Sequence, residues 1–314
     1  MQHSSHGIEE QVFKNEHIQQ LVPLYANAFG IRSSASYLVK KFFAPYQTIH
    51  ASSIAFDQSQ LAVSFYGVIR QKARLNDWEF SIGQSCDSMT HIDFGGRGLF
   101  IKLAIYAYAQ LGKEGVGFVY GFPNERIYGL RKNKLHWQFD KPINQYEIKI
   151  KALPLAKLAK RFSCFTPLYL AYAHVVLKSK ISNIRCFENS VQADNIGSVV
   201  HDAEYFQYKN GPGKYIIKLQ GIHFWIKLDG GLWVGDFETC SPEVFSRVLA
   251  ELKIIARKLG CTSIRFHYHE HSQNDLLLKT IMNPLGTMPC GFRVLHPQFT
   301  GINFHFCAAD FDTW

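Results

Sequence analysis

Between residues 90 and 100 the chain reads Thr-His-Ile-Asp-Phe-Gly-Gly-Arg-Gly-Leu-Phe: a strand-like run enters a glycine-dense turn, and the turn opens directly into an amphipathic helix. Few backbones accommodate that order. Glycines allow backbone N–H groups to approach a ligand without a Cβ in the way, and the first turn of a helix adds unpaired donors and a partial positive charge. The combination predicts a cradle for a phosphate or pyrophosphate, with Arg97 as a fixed charge beside it. Neither the dinucleotide fingerprint G-x-G-x-x-G nor the Walker ending G-K-[ST] is present, so the two commonest phosphate loops are excluded.

The periodicity around this segment places it in an α/β chain. Residues 16–43 read as helical, with strands expected at 52–56, 61–70 and 77–89. Leu99 to Leu111 follows as a helix with Gly112 as its stop, then a short buried strand at 115–121, a polar helix at 125–134 and a closing strand at 145–150. The order then recurs: strands at 214–219, 222–228 and 232–237, a helix from the Ser241 cap to Leu259, a strand at 262–269, a helix at 274–282 and a last strand at 304–309. A length of 314 residues favours two domains, and 47% hydrophobic against 19% charged residues excludes wholesale disorder. The division expected is 1–150, a basic apolar helical linker at 151–187, and 188–314.

The net charge of +9 is concentrated. Residues 151–187 hold seven basic residues and no acidic one, residues 1–150 are at +4, and residues 188–314 at −2. A nucleic-acid surface spread over the whole chain is therefore disfavoured. In the linker, basic residues flank an apolar, aromatic stretch at 162–177 that is too short to span a bilayer. It suits peripheral contact with anionic lipid, or a helix docked on a domain core. Seven scattered cysteines without a C-x-x-C, and no secretory-type N-terminus, point to a cytoplasmic chain.

The Thr90–Phe100 segment resembles motif A of the Gcn5-related N-acetyltransferase (GNAT) superfamily. Aligned on Gly98, the chain has Gly95 where Arg or Gln is usual and Phe100 where Gly or Ala is usual. The run Tyr120-Gly121-Phe122-Pro123-Asn124, with Leu135-His136-Trp137 after the next helix, is similar to the family's strand–Asn–helix segment and to a bacterial subgroup with a second GNAT-like half. The resemblance implies an α/β (α+β) fold of tandem GNAT-like domains, each a mixed central sheet flanked by helices, the second degenerate. It implies an acyl-CoA-dependent N-acyltransferase, with acetyl-CoA or another acyl-CoA as cosubstrate and no metal. The acceptor would be a primary amine, on a small molecule or a sugar.

The same resemblance assigns residues. Ser88, Met89 and Thr90 would pair with the pantetheine arm, Gly96, Arg97, Gly98 and Leu99 would hold the pyrophosphate, and Asn124 would touch the cofactor. An amide near Met89 would polarise the thioester carbonyl. Asp87, or Glu79 on the same strand, is the candidate base, with a water relay as the alternative. Tyr128 is the candidate acid, because position 131, where the family often has Tyr, is Arg. Cys86 reads as a core residue. His267, His269 and His271 alternate along one strand, which suits a solvated strand end, a polar lining or, least well, a metal site. Two other functions are compatible: a Fem-type aminoacyl transferase using charged tRNA, and a catalytically silent GNAT-like binding module.

Overall fold

The computed structural model describes residues 7–31 and 33–314. Along the chain run β1 (Ile8–Val12), α1 (Ile18–Phe29), α2 (Ala35–Phe43), β2 (Ser53–Asp57), β3 (Ala62–Leu75), β4 (Trp78–Thr90), α3 (Leu99–Lys113), β5 (Phe118–Gly121), α4 (Glu125–Lys134), β6 (Gln138–Phe139) and β7 (Ile143–Lys149). They continue through α5 (Leu155–Arg161), α6 (Thr166–Leu177), β8 (Ser198–Val199), α7 (Ala203–Lys209), β9 (Lys214–Leu219), β10 (Ile222–Leu228), β11 (Leu232–Phe237), α8 (Pro242–Lys258), β12 (Ser263–His269), α9 (Gln273–Lys279), β13 (Gly286–Met288) and β14 (Gly291–Val294).

Two compact units result, each a mixed sheet flanked by helices. The first takes in residues up to 73, 78–140 and 290–302; the second takes in 74–77, 141–289 and 303–314. In the first, the strand order is β1-β2-β3-β4-β5-β14-β6, with β4 and β5 parallel. Both faces of this sheet are covered. Ile54, Phe56, Phe65 and Ile69 meet Leu21, Leu24 and Leu38 of α1 and α2 on one side. Ala55, Val63, Tyr66 and Val68 meet Leu103, Ala104, Ala107 and Leu111 of α3 on the other. Strands buried on both faces read as near-continuous apolar runs, as β2 and β3 do.

The second sheet runs β13-β7-β12-β11-β10-β9, with β11 and β12 parallel. Its composition departs from the expected division at residue 150. β7, expected to close the first domain, pairs antiparallel with β12 over seven residues, from Ile143↔His269 to Lys149↔Ser263. Tyr146 Oη and Asn144 Nδ2 fix it there by donating to Asp275 Oδ1 at 2.6 and 2.8 Å. Conversely β14 lies between β5 and β6 of the first sheet. The 151–187 segment folds within the second unit as α5 and α6.

Three local expectations change for identifiable reasons. Residues 16–43 form two helices, because Gly30 takes a left-handed conformation (φ 69°) and Ser34 caps the second by accepting from Tyr37 N. Gly112 lies inside α3. The stop is Gly115 (φ 74°), whose N–H donates to Gly112 O while Val116 N–H donates to Leu111 O, the paired bonds of a Schellman motif. Residues 304–309 are not a strand: they make isolated bridges, Phe304 to Gly197 and Cys307 to Tyr268, and then enter a 3-10 turn at Ala308–Asp310.

Candidate active site

The glycine run folds as a left-handed turn that opens into a helix. His91 Nδ1 accepts from Asp93 N at 3.3 Å and starts a 3-10 turn over Ile92–Phe94. Gly96 (φ 76°) and Gly98 (φ 74°) then turn the chain through the left-handed region, and α3 begins at Leu99. That geometry is costly for any residue with a Cβ. Leu99 anchors the helix start in the core at 3% exposure. Among the described residues, the backbone N–H groups of Gly96, Arg97, Gly98, Leu99 and Phe100 have no hydrogen-bond acceptor. Five consecutive amides thus lack an acceptor at the positive end of a fifteen-residue helix. Arg97 is exposed and folds over its own loop, with Cζ 4.6 Å from the centre of the Phe94 ring and Nη2 donating to Asp93 O at 3.3 Å.

The strand leading to the cradle is kinked. β4 pairs with β5 at Gly83↔Val119 and Gln84↔Tyr120, and β4 runs on to Thr90. Within that extension Asp87 has φ 45°. Its carboxylate lies 2.6 Å from Lys41 Nζ, both side chains being largely buried. Burial and then the Asp87 charge raise the Tyr25 hydroxyl well above the ordinary phenol range. Ser88 Oγ is buried without a partner, Met89 belongs to the α1–α2 core, and Thr90 Oγ1 bonds Ser64 Oγ at 2.9 Å.

Beyond β5, Asn124 caps α4: its Oδ1 accepts from Arg126 N (3.1 Å) and Ile127 N (3.3 Å). Tyr128 packs its ring on Phe139, centroids 4.3 Å apart. Arg131 is the residue that sequence reasoning undervalued. It is 3% exposed, stacks on Trp137 (4.2 Å) and donates from Nη2 to Ser85 Oγ at 2.9 Å, leaving Nε and Nη1 without partners. The signal was present in the sequence as a cation where the family often has a phenol. The structure therefore brings Gly96, Arg97, Gly98 and Leu99 into one cradle and sets Ser88, Met89 and Thr90 on the strand entering it. Asp87 is engaged by Lys41, and Tyr128 by Phe139.

The second unit repeats the strand–helix–strand crossover, and its own chain fills the equivalent opening. β11 and β12 pair only from Leu232↔Ile264 to Val234↔Phe266. Next along β11, a Cβ on Gly235 would stand 2.3 Å from the Trp314 ring. Trp314 also meets Trp225 edge-on (5.6 Å), and Phe311 lies against His267 (5.7 Å). Gly235→Ala is expected to cost about 1–3 kcal/mol through overpacking, read as a lowered denaturant midpoint, with part of the loss recovered on adding Trp314→Leu.

The three histidines do not form a shared face. His267 meets Trp233 edge-on (5.2 Å), and burial, followed by the charge of Arg265, lowers its pKa to about 4. His269 is buried with Nε2 2.8 Å from Lys141 O. His271 lies past the end of β12 at φ 69°. Deeper in this unit, His201 Nε2 and Asp310 Oδ1 are 2.9 Å apart beside Cys307. At that distance the two atoms hydrogen-bond directly.

A mixed sheet whose long strand passes through a glycine turn into a helix, and from there to a parallel neighbour that soon ceases to pair, is the fold of the GNAT superfamily. Residues 11–131 match the family model described as "Acetyltransferase (GNAT) domain". Solved structures similar in fold include Gcn5-related N-acetyltransferases from Kribbella flavida (11% identity, TM-score 0.59, covering 91% of this chain and 71% of that one) and Anabaena variabilis (12%, 0.56, 92% and 73%). A conserved protein of unknown function from Enterococcus faecalis is similar too (14%, 0.59, 94% and 75%). No curated protein matches the chain.

Proposed function

We propose that the chain is an acyl-CoA-dependent N-acyltransferase, acetyl-CoA being the first acyl donor to test and a primary amine on a small molecule or sugar the acceptor. One observation carries this reading: the five unpaired amides from Gly96 to Phe100, at a helix start with open space around Gly96 and Gly98. The donor set suits a pyrophosphate. In transfer, the amine nitrogen bonds to the thioester carbonyl carbon, the C–S bond breaks, the ammonium proton leaves and the thiolate is protonated. An amide near Met89 polarises the carbonyl, Ser88 Oγ is an unused polar group on the same strand, and Asn124 contacts the cosubstrate from α4. Asp87 and Tyr128 remain the residues proposed for proton transfer. All seven cysteines are free, which agrees with placing the protein in the cytoplasm.

Arg97→Glu tests the cradle. The side chain is exposed, so the thermal midpoint is expected to hold within a degree or two, while coenzyme A binding by calorimetry is lost. Unchanged affinity would remove the pyrophosphate assignment. A second reading, a GNAT module that binds without turnover, is favoured by the engagement of Asp87 with Lys41 and of Tyr128 with Phe139. Release of free thiol from acetyl-CoA with a panel of amines separates the two.

A further inference from the structure

The segment richest in basic residues folds as two helices of the second unit with one buried and one bare face. α5 buries Ala156 and Ala159, and α6 buries Tyr169, Ala173 and Leu177. α6 is held against the end of α8 by two phenols: Tyr169 Oη donates to Leu259 O at 3.0 Å and Tyr172 Oη to Lys258 O at 2.6 Å. These bonds satisfy carbonyls that a helix C-terminus leaves unpaired. On the other side, Leu158, Phe162, Phe165, Leu168, Tyr172 and Val175 are exposed, Leu168 and Val175 each at 71%. The two helices enclose an open apolar groove of about 540 Å³. A contiguous exposed apolar face of this kind marks an interaction surface.

Charge selects the partner. Residues 151–187 contain no Asp or Glu. Lys160 is paired with Asp229 and Lys180 with Glu251. Lys151, Lys157, Arg161, Lys178 and Arg185 are exposed and have no carboxylate partner among the described residues. A second copy docking face to face would set Lys157 and Arg161 of α5 against a second pair of like charges. A folded acidic protein would answer the charge but would have to supply its own apolar ridge to fill the groove. An anionic bilayer supplies both, with acyl chains for Leu168, Val175 and the rings, and headgroup phosphates for the lysines and arginines. No helix among the described residues is long and apolar enough to cross a membrane, so the contact lies in the interface plane.

We propose that the α5–α6 face docks the protein on anionic lipid bilayers. The full chain is sedimented with vesicles of phosphatidylcholine alone and of phosphatidylcholine with phosphatidylglycerol. Partitioning onto the anionic vesicles is expected to be at least tenfold stronger and to fall severalfold when salt is raised to about 0.5 M, where screening is short-ranged. Leu168→Glu with Val175→Glu is expected to cut that partitioning tenfold or more. Both residues are exposed, so the thermal midpoint should stay where it is. Lys157→Glu with Arg161→Glu is expected to abolish the preference for anionic lipid. Equal partitioning onto both vesicles, or unchanged partitioning of either variant, overturns the proposal. So does a concentration-dependent dimer in sedimentation velocity that Leu168→Glu with Val175→Glu dissolves while vesicle binding is absent.

Discussion

Gly98→Val is expected to weaken coenzyme A binding on the order of 100-fold, about 3 kcal/mol, and to lower stability by only about 1–2 kcal/mol. The two effects separate because of where this residue sits. A Cβ at Gly98 would touch nothing within 4 Å, so the folded protein loses only the strain of holding a β-branched residue at φ 74°. The ligand loses more. Relaxing that strain rotates the peptide planes on either side, and with them the amides of Gly98 and Leu99 that open α3. The valine methyls also project into the space a phosphate would fill. Gly98→Asn, which tolerates the left-handed region better, should fall between wild type and valine. Gly112→Ala is the control: it lies inside α3 at negative φ with open space, so it should add about 1 kcal/mol of stability and leave binding unchanged. Calorimetric affinity of Gly98→Val within twofold of wild type would detach the glycine run from ligand binding altogether.

The glycine turn and helix start were legible because they are local. Glycines, a capping histidine and an apolar helix stripe lie within some twenty residues, and each speaks through backbone sterics or 3.6-residue periodicity. The strand exchange was not, since nothing in Gln145–Ile150 says which sheet it joins. Its partner strand lies more than a hundred residues away, and the deciding contacts, Tyr146 and Asn144 to Asp275, pair residues with no sequence relation. The same distance hid Lys41 from Asp87, so a carboxylate that read as a free base is an ion-pair partner. Residues 304–309 form a short apolar run like a buried strand, but there the pattern comes from packing: Phe304, Phe306 and Cys307 are buried, and only Phe304 and Cys307 make single bridges, without a ladder. The second half has no glycine run before α8, and there the Trp314 ring stands against Gly235, a contact between residues almost eighty positions apart that no local pattern announces.

Stability is expected to fall by about 3 kcal/mol between pH 6 and pH 9.5 through one buried histidine in the second unit. His201 is fully enclosed, and burial by itself would push its pKa down. Asp310, hydrogen-bonded at 2.9 Å, and Asp236, 3.6 Å from Nδ1, outweigh that and raise it to about 9. The folded protein therefore holds a proton that the unfolded chain, at 6.5, releases. The stabilisation is complete below pH 6.5, declines as pH rises, and is gone once pH passes about 9. Two neighbours also move in this window: His267, lowered to about 4, regains stability as pH rises past the unfolded value of 6.5, and the Cys307 thiol, raised by burial, loses some near pH 9, so the comparison with Asp310→Asn isolates the His201 share. Asp236 is further tied by Ser190, whose hydroxyl and amide both donate to it, and by Tyr268 Oη at 3.1 Å. Asp310→Asn removes one counter-charge and leaves the imidazolium under-compensated, so it should cost about 3–5 kcal/mol at pH 6 and much less at pH 9.5. Urea midpoints of both proteins at the two pH values decide it. A wild-type profile that is flat, or that rises toward pH 9.5, would mean that His201 is neutral in the folded state.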